Sequence, residues 1–188
     1  FYDVDRDGVN EIVAAYSDQG VQILRSETGE LIWQKPACHT QQIEVGEFLT
    51  ECASPQIAAG ARIYKRLPGV YLSAQIYWYD SEGNLLRIWP ETPLNGNPDF
   101  VKGQWFGDAR DHLFWYKFGI DQSGKGILYF PDQVYHMFDF TGDGAEEVIT
   151  LNGDRIRVYG SKSAKRNIAK AKRDLEYMYR TVVNHTHY

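Results

Sequence analysis

Asp3-Val4-Asp5-Arg6-Asp7-Gly8-Val9-Asn10-Glu11-Ile12-Val13 returns 136 positions later, Asp3 to Asp139, as Asp139-Phe140-Thr141-Gly142-Asp143-Gly144-Ala145-Glu146-Glu147-Val148-Ile149. The two stretches align without a gap. In each, short acidic side chains at alternating positions, with Thr141 standing for one of them in the second, lead through a glycine to a glutamate and a short apolar run. Two degraded copies lie between them. One is Val45-Gly46-Glu47-Phe48 followed by Pro55-Gln56-Ile57-Ala58; the other spans Trp105–Phe114, where Gly107-Asp108 matches Gly142-Asp143. The offset divides into three steps of about 45 residues, a period typical of repeat architectures.

Each unit reads as strands. An inner strand runs into the acidic or glycine turn, and a short apolar strand follows, expected at Glu11–Ala15, Gln56–Gly60, His112–Phe118 and Glu147–Leu151. An alternating strand comes next, as in Val21–Leu24 or Ile156–Tyr159, and an outer strand closes the unit beyond turns such as Glu27–Gly29 and Asp80–Asn84. Four strands in about 45 residues make one blade of a β-propeller. The expected fold class is therefore all-β: a β-propeller of four-stranded antiparallel blades, about four of them in residues 1–160, forming part of a larger propeller. Residues 161–188 are expected to be a basic tail, irregular or short-helical, packing on the propeller. A sandwich with strands at similar spacing is the alternative.

Composition supports this. The chain has 188 residues, 43% hydrophobic and 24% charged, which suffices for a core. Its 13 Tyr, 9 Phe, 5 Trp and 17 Gly favour short strands and tight turns over helical bundles. No apolar run approaches ~20 residues, so no membrane span is expected. The chain opens on Phe1 with no leader pattern, so a targeting segment is expected to be removed or foreign to it.

The net charge of −5 is uneven: residues 161–188 carry seven Lys/Arg against Asp174 and Glu176, or +5, which leaves −10 on residues 1–160. Such a body favours cations over nucleic acid as partner. No Gly-rich phosphate loop, Gly-x-Ser-x-Gly elbow or Cys-x-x-Cys pair occurs, which weakens nucleotide, α/β-hydrolase and zinc-ribbon readings.

The repeated turn carries the first chemistry. Hard cations take about six to eight oxygens, and carboxylates spaced by two in a tight loop converge on one ion. The first turn offers Asp3, Asp5, Asp7, the Val9 carbonyl and Glu11, with Gly8 allowing the bend. The second offers Asp139, Thr141, Asp143, the Ala145 carbonyl and Glu147, and is expected to be weaker because Thr141 replaces a carboxylate. Calcium is the expected cofactor. An acidic solvated turn, with aspartates capping backbone N–H groups, is the plainer alternative. The middle copies have Gln104, Phe106 and His112 where acids should stand and read as structural turns.

Cys38 and Cys52 flank the inner strand Gln41–Phe48. Eight extended residues span roughly 26 Å, against the ~7 Å that a disulfide allows between Cα atoms. Two free thiols are expected. His185 and His187 point to one side of an extended ending, as half a metal site or, more plainly, as packing residues.

The Asp-x-Asp-x-Asp-Gly-x-x-Glu turn resembles the calcium turns of FG-GAP/VCBS-type propellers, including integrin α-subunits. A second stretch is more specific. His39-Thr40-Gln41-Gln42-Ile43-Glu44-Val45-Gly46-Glu47-Phe48, followed by Gln56-Ile57-Ala58-Ala59-Gly60-Ala61-Arg62, is similar to the His-x-Gln-x-x-x-x-Gly-Asp-Phe … Arg pattern of rhamnogalacturonan lyases and related uronate-polysaccharide lyases. Glu47 stands where that pattern has Asp. The likeness covers most of residues 1–160 and corresponds to C-terminal blades of those enzymes. It implies an extracellular or periplasmic protein with the missing blades supplied by the same propeller or by a partner chain. It also implies an anionic polysaccharide partner and β-elimination on a uronate-containing glycan such as rhamnogalacturonan.

In that chemistry a cation neutralises the uronate carboxylate and a base removes the C5 proton. Arg62 or calcium is expected to neutralise, and His39 or Tyr64 to act as base or acid. Lys65, Arg66 and Lys125 lie in connections on the same face, opposite the acidic turns, and are expected to bind substrate through their charge. Taken singly, Arg62 paired with a neighbouring acid and His39 capping a turn are the plainer readings. A non-catalytic calcium-stabilised propeller that binds a glycan or a protein is the alternative function.

Overall fold

The computed structural model describes residues 1–63, 73–95, 99–108, 110–120 and 126–163. Their secondary structure is all strand. The first sheet holds β1 (Glu11–Tyr16), β2 (Gly20–Arg25) and β3 (Leu31–Lys35). The second holds β4 (Thr40–Gly46), β5 (Gln56–Ile63), β6 (Ser73–Tyr79) and β7 (Leu85–Asn95). The third holds β8 (Phe100–Gly103), β9 (His112–Trp115), β10 (Phe118–Ile120) and β11 (Gly126–Tyr129). The last holds β12 (Gln133–Phe138), β13 (Glu147–Asn152) and β14 (Arg155–Gly160). Every pairing is antiparallel between chain neighbours, so each sheet is a meander.

The all-β expectation holds for the described residues, with three differences of detail. The first and last sheets have three strands, not four. In the first sheet only Tyr2, bridged to Glu11, stands where an inner strand would run. The segment expected as one strand at His112–Phe118 is two, because Tyr116 takes a left-handed φ of 56° and turns the chain back with Lys117. A period-2 apolar pattern does not reveal such a turn when aromatic residues occupy it. The tail from residue 164 onward, with His185 and His187, lies outside the described residues.

The sheets pack face to face in chain order. Alternation sends successive side chains of a strand to opposite faces, and the two central sheets bury both. Ile57 and Ala59 of β5 join Val4, Val21, Ile23 and Tyr79 in a core between the first and second sheets. Ala58, with Ile76 and Trp78, joins Phe100, Leu113, Trp115 and Ile120 between the second and third. Phe114, pointing the other way from Leu113, packs with Trp105, Phe130, Met137 and Val148 against the last sheet. Small residues at 58, 59 and 61 let the flanking aromatic residues close on β5.

Contacts between turns orient the sheets. Arg6, in the first acidic turn, pairs with Glu47 after β4. Glu47 N–H donates to Asp111 Oδ2 at 2.9 Å, and Asp111 N–H to the Glu47 carbonyl at 3.2 Å. The Glu146 carboxylate of the second acidic turn receives the Gln104 N–H. All four turns therefore gather at one end of the molecule. At the other end lie the β1–β2 turn, the start of β4, the Tyr116-Lys117 turn and the segment before β12. There His39 Nδ1 approaches Asp18 Oδ1 at 3.7 Å, and Val134 N–H donates to the Tyr116 carbonyl at 2.6 Å.

Ile76 is fully buried between the second and third sheets. Truncation there leaves a cavity that stacked sheets cannot collapse. Ile76→Ala is expected to cost about 2–5 kcal/mol in denaturant unfolding; a loss under about 1 kcal/mol, the scale of a well-tolerated conservative change, would show that the seam is loosely packed.

Candidate functional site

The two acidic turns repeat in backbone as well as in sequence. Arg6 and Gly8 have φ of 64° and 92°, and their counterparts Gly142 and Gly144 have 72° and 86°. A left-handed arginine is uncommon, and here the guanidinium reaches Glu47 from that conformation. In the first loop, ligand atoms of Asp3, Asp5 and Glu11 lie within 4.8 Å of one another. Glu11 is 4% exposed and accepts the Val4 N–H at 2.9 Å. Asp3 Oδ2 accepts the Gly8 N–H at 3.1 Å, while its Oδ1 is buried with no hydrogen-bond partner. Asp7 stands outside the trio, and its Oδ1 accepts the Val9 N–H at 2.8 Å.

In the second loop the trio is Asp139, Asp143 and Glu147, again within 4.8 Å. Asp139 and Glu147 are buried. Asp139 accepts the Asp143 and Gly144 N–H groups at 3.0 and 2.8 Å. Glu147 Oε2 accepts the N–H groups of Phe140 and Thr141 at 2.7 and 3.1 Å. The Thr141 hydroxyl donates to Glu147 Oε1 at 3.2 Å, so it supports a carboxylate. Asp143 Oδ1 accepts the Ala145 N–H at 2.9 Å. Each loop can hold a metal ion, and an all-oxygen donor set suits a hard cation. Unneutralised, two carboxylates ~4 Å apart repel by about 1 kcal/mol in water and about 4 kcal/mol at an effective dielectric of 20. The orphaned Asp3 Oδ1 fits a bound cation, because a buried acceptor without a partner is otherwise costly.

The middle turns show what replaces the acid. Gln56 begins β5 as Glu11 begins β1, is fully buried, and accepts the Phe48 and Leu49 N–H groups at 2.8 and 2.7 Å. His112 begins β9, is 2% exposed, and sets Nε2 at 3.3 Å from Asp108 Oδ2. The sequence shows the missing acids but not that Gln56 caps the turn amides while His112 turns to the Asp108 carboxylate.

At the opposite end, β4 and β5 bring His39 and Arg62 together: Arg62 N–H donates to the His39 carbonyl at 2.9 Å. Arg62 Nε is buried and without a hydrogen-bond partner. His39 Nε2 lies 2.9 Å from the Gln41 carboxamide, and its Nδ1 faces Asp18 from the neighbouring sheet. Gln41 belongs to the His-x-Gln pattern but carried no role in the sequence reading, and Asp18 carried none; Asp18 sits in another unit, and only packing of sheets brings it close. Tyr79, paired with Ile57 at the far end of β6, has its pKa pushed up to about 12 by burial first and then by Tyr77 and Cys38, and its hydroxyl donates to the Pro36 carbonyl at 3.1 Å. Tyr64, Lys65, Arg66 and Lys125 fall outside the described residues. Cys38 and Cys52 are both free thiols, before and after β4.

No family model matches the chain, and no curated protein or solved structure matches it.

Burial depresses the His112 pKa below its ordinary 6.5, outweighing the opposing pull of Asp108 and Asp111. The unfolded chain therefore takes up a proton before the folded one. Stability is expected to fall as pH drops below about 6.5 and to level off beneath the folded-state pKa. His112→Gln should flatten that part of the stability–pH curve measured by denaturant melts; an unchanged slope would refute a role for His112.

Proposed function

We propose that this chain is a calcium-stabilised β-propeller segment of a secreted polysaccharide lyase acting on uronate-containing glycans of the rhamnogalacturonan type. The four meanders serve as blades, stacked through their faces in chain order. The outer faces of the first and last sheets remain apolar, with Leu31 at 48% exposure and Ile156 at 68%, which favours further blades from the same propeller or a partner chain. Calcium is the hard cation whose flexible, high coordination number suits loops of this size.

The observation that carries the lyase reading is the juxtaposition of Arg62 and His39. A guanidinium with an uncommitted, desolvated Nε is suited to a carboxylate. Paired with the uronate carboxylate, Arg62 would stabilise the negative charge that develops as the C5 proton leaves. His39 would take that proton. The C4–O bond then breaks, the C4–C5 double bond forms, and the departing oxygen takes a proton from an acid or from water. Calcium, when bound, supplies loop rigidity at the opposite end, away from these atoms. Tyr64 remains the alternative base or acid, and Lys65, Arg66 and Lys125 the candidate substrate cations.

One feature favours the second reading, a non-catalytic propeller that binds a glycan or a protein. Both ring nitrogens of His39 already face partners, Asp18 and Gln41, so Gln41 must swing away before the imidazole can accept a proton.

Incubation with de-esterified pectic or ulvan-type glycans should generate unsaturated uronate, followed by ultraviolet absorbance. Arg62→Ala and His39→Ala should each lower the rate by about 100-fold or more with melting temperature nearly unchanged. No absorbance gain with any such glycan would exclude the lyase reading and leave the binding one.

Calcium should raise the melting temperature by mass action on the native state, and Asp3→Asn with Glu11→Gln should remove most of that gain. Identical melting curves in calcium and in chelator would dismiss the metal.

A further inference from the structure

We propose that a second copy of this chain stacks head to tail on the first, the last sheet of one copy covering the first sheet of the other. The inference rests on the stacked-sheet reading above, and on neither glycan binding nor catalysis.

The repeat identifies the uncovered face. Glu11 and Glu147 open β1 and β13 and pair with Tyr2 and Phe138, so the 136-residue offset aligns backbone as well as sequence. Through the strand registers Val13 matches Ile149, Ile23 matches Val158 and Val21 matches Ile156. In the turn, Val4 matches Phe140. In the first sheet these positions form the core against the second: Val4, Val21 and Ile23 are buried, with Tyr2 and Val13 packed beside them. In the last sheet the same positions lie open, Phe140 at 59%, Val158 at 42% and Ile156 at 68% exposure.

The opposite face of the last sheet is already used, since Val148 and Tyr159 pack with Trp105 and Phe130. Alternation puts Arg155 and Arg157 on that used face with Tyr159, so no charge interrupts Ile156 and Val158 along β14. The rings of His136, Phe138 and Phe140 continue the open surface, successive centroids 5.3 and 5.7 Å apart.

The same comparison identifies what fits. The first sheet is covered by Val45, Ile57, Ala59 and Tyr79 of the second. Gln56 opens β5 as Glu11 opens β1, so Ile57 and Ala59 match Ile12 and Ala14. Tyr79 pairs with Ile57 as Leu24 pairs with Ile12. Val45 precedes the partner of Gln56 as Phe1 precedes the partner of Glu11. Val13, Ile23 and Trp33 face the second sheet, so alternation turns Ile12, Ala14, Leu24 and Ile32 the other way. Phe1 is 85% exposed where Val45 is 8%. Every copy therefore carries, uncovered, both halves of the contact that its first two sheets already make. Apolar surface of this kind is driven from water and marks an interaction site. Two different faces that fit each other make a heterologous contact, which closes into a ring where the rotation allows and otherwise extends. Two copies of four sheets give eight, within the usual range for closed propellers.

Sedimentation and light scattering over a range of concentrations test the stacking. Wild type should show twice the mass of the chain, or a concentration-dependent ladder if the ring stays open. Ile156→Lys/Val158→Lys on the last sheet and Ile32→Lys on the first should each weaken association about 30-fold or more, as loss of a buried interface anchor does. Melting of the dilute protein should not change, because these side chains are exposed in a single copy. An equal mixture of the two variants should associate again in pairs, since one intact last face then meets one intact first face.

Wild-type association in either variant alone would overturn the head-to-tail contact, as would a mixture that fails to recover. A wild type that stays single at every concentration would overturn it too; lowered melting in Ile156→Lys/Val158→Lys would then show the face to be covered within the chain. Unsaturated uronate released by such a single copy would leave the lyase reading standing without the stacking, and stacked protein that releases none would do the reverse.

Discussion

A buried acceptor at the start of the strand after three of the four turns organises the molecule. Glu11, Gln56 and Glu147 each sit at the first position of β1, β5 or β13 and accept N–H groups from the preceding turn. Turn amides drawn into a sheet seam must find a partner, since a buried unpaired N–H is costly. In these three units one side chain meets that need and at the same time stands where the strand begins. The register of each meander, and with it the choice of which side chains enter which core, follows from that position.

Where that acceptor is a glutamate and aspartates accompany it, the same loop concentrates negative charge. Glu11 and Glu147 do both jobs, holding amides and facing two aspartates each. Gln56 does only the first, as a neutral amide with no like charge beside it. Three of the four turns thus share one structural device, and two of them add an acidic trio that could hold a metal ion. The clustering of all four at one end polarises the molecule: acids crowd the turn end, while His39, Arg62 and Lys117 occupy the other.

Charge links the sheets across that acidic end. Arg6 reaches Glu47, Glu47 and Asp111 exchange hydrogen bonds through their backbones and the Asp111 carboxylate, and Lys102 donates to the Val45 carbonyl. Glu44 lies in the same seam, its carboxyl pushed up by burial against the pull of Lys102. Gly46 leaves the space that Asp111 fills. The apolar cores hold the faces together, and this polar seam aligns their edges.

The repeat was legible in the residues themselves. Asp3–Glu11 and Asp139–Glu147 declare a common loop because alternating short acids and a positive-φ glycine are local requirements, met within about ten residues of chain. The all-β character followed from period-2 alternation and turn residues for the same reason. Tertiary structure decided what depends on distance. It set three strands in the terminal sheets, split His112–Phe118 at Tyr116, put Asp7 outside the first trio and turned the Thr141 hydroxyl onto Glu147. It brought Asp18 to His39 from another sheet and fastened Tyr116 to Val134 and Lys117 to Phe130. Local pattern specifies which backbone a residue prefers; only the packing of one sheet on the next specifies which side chains share a site.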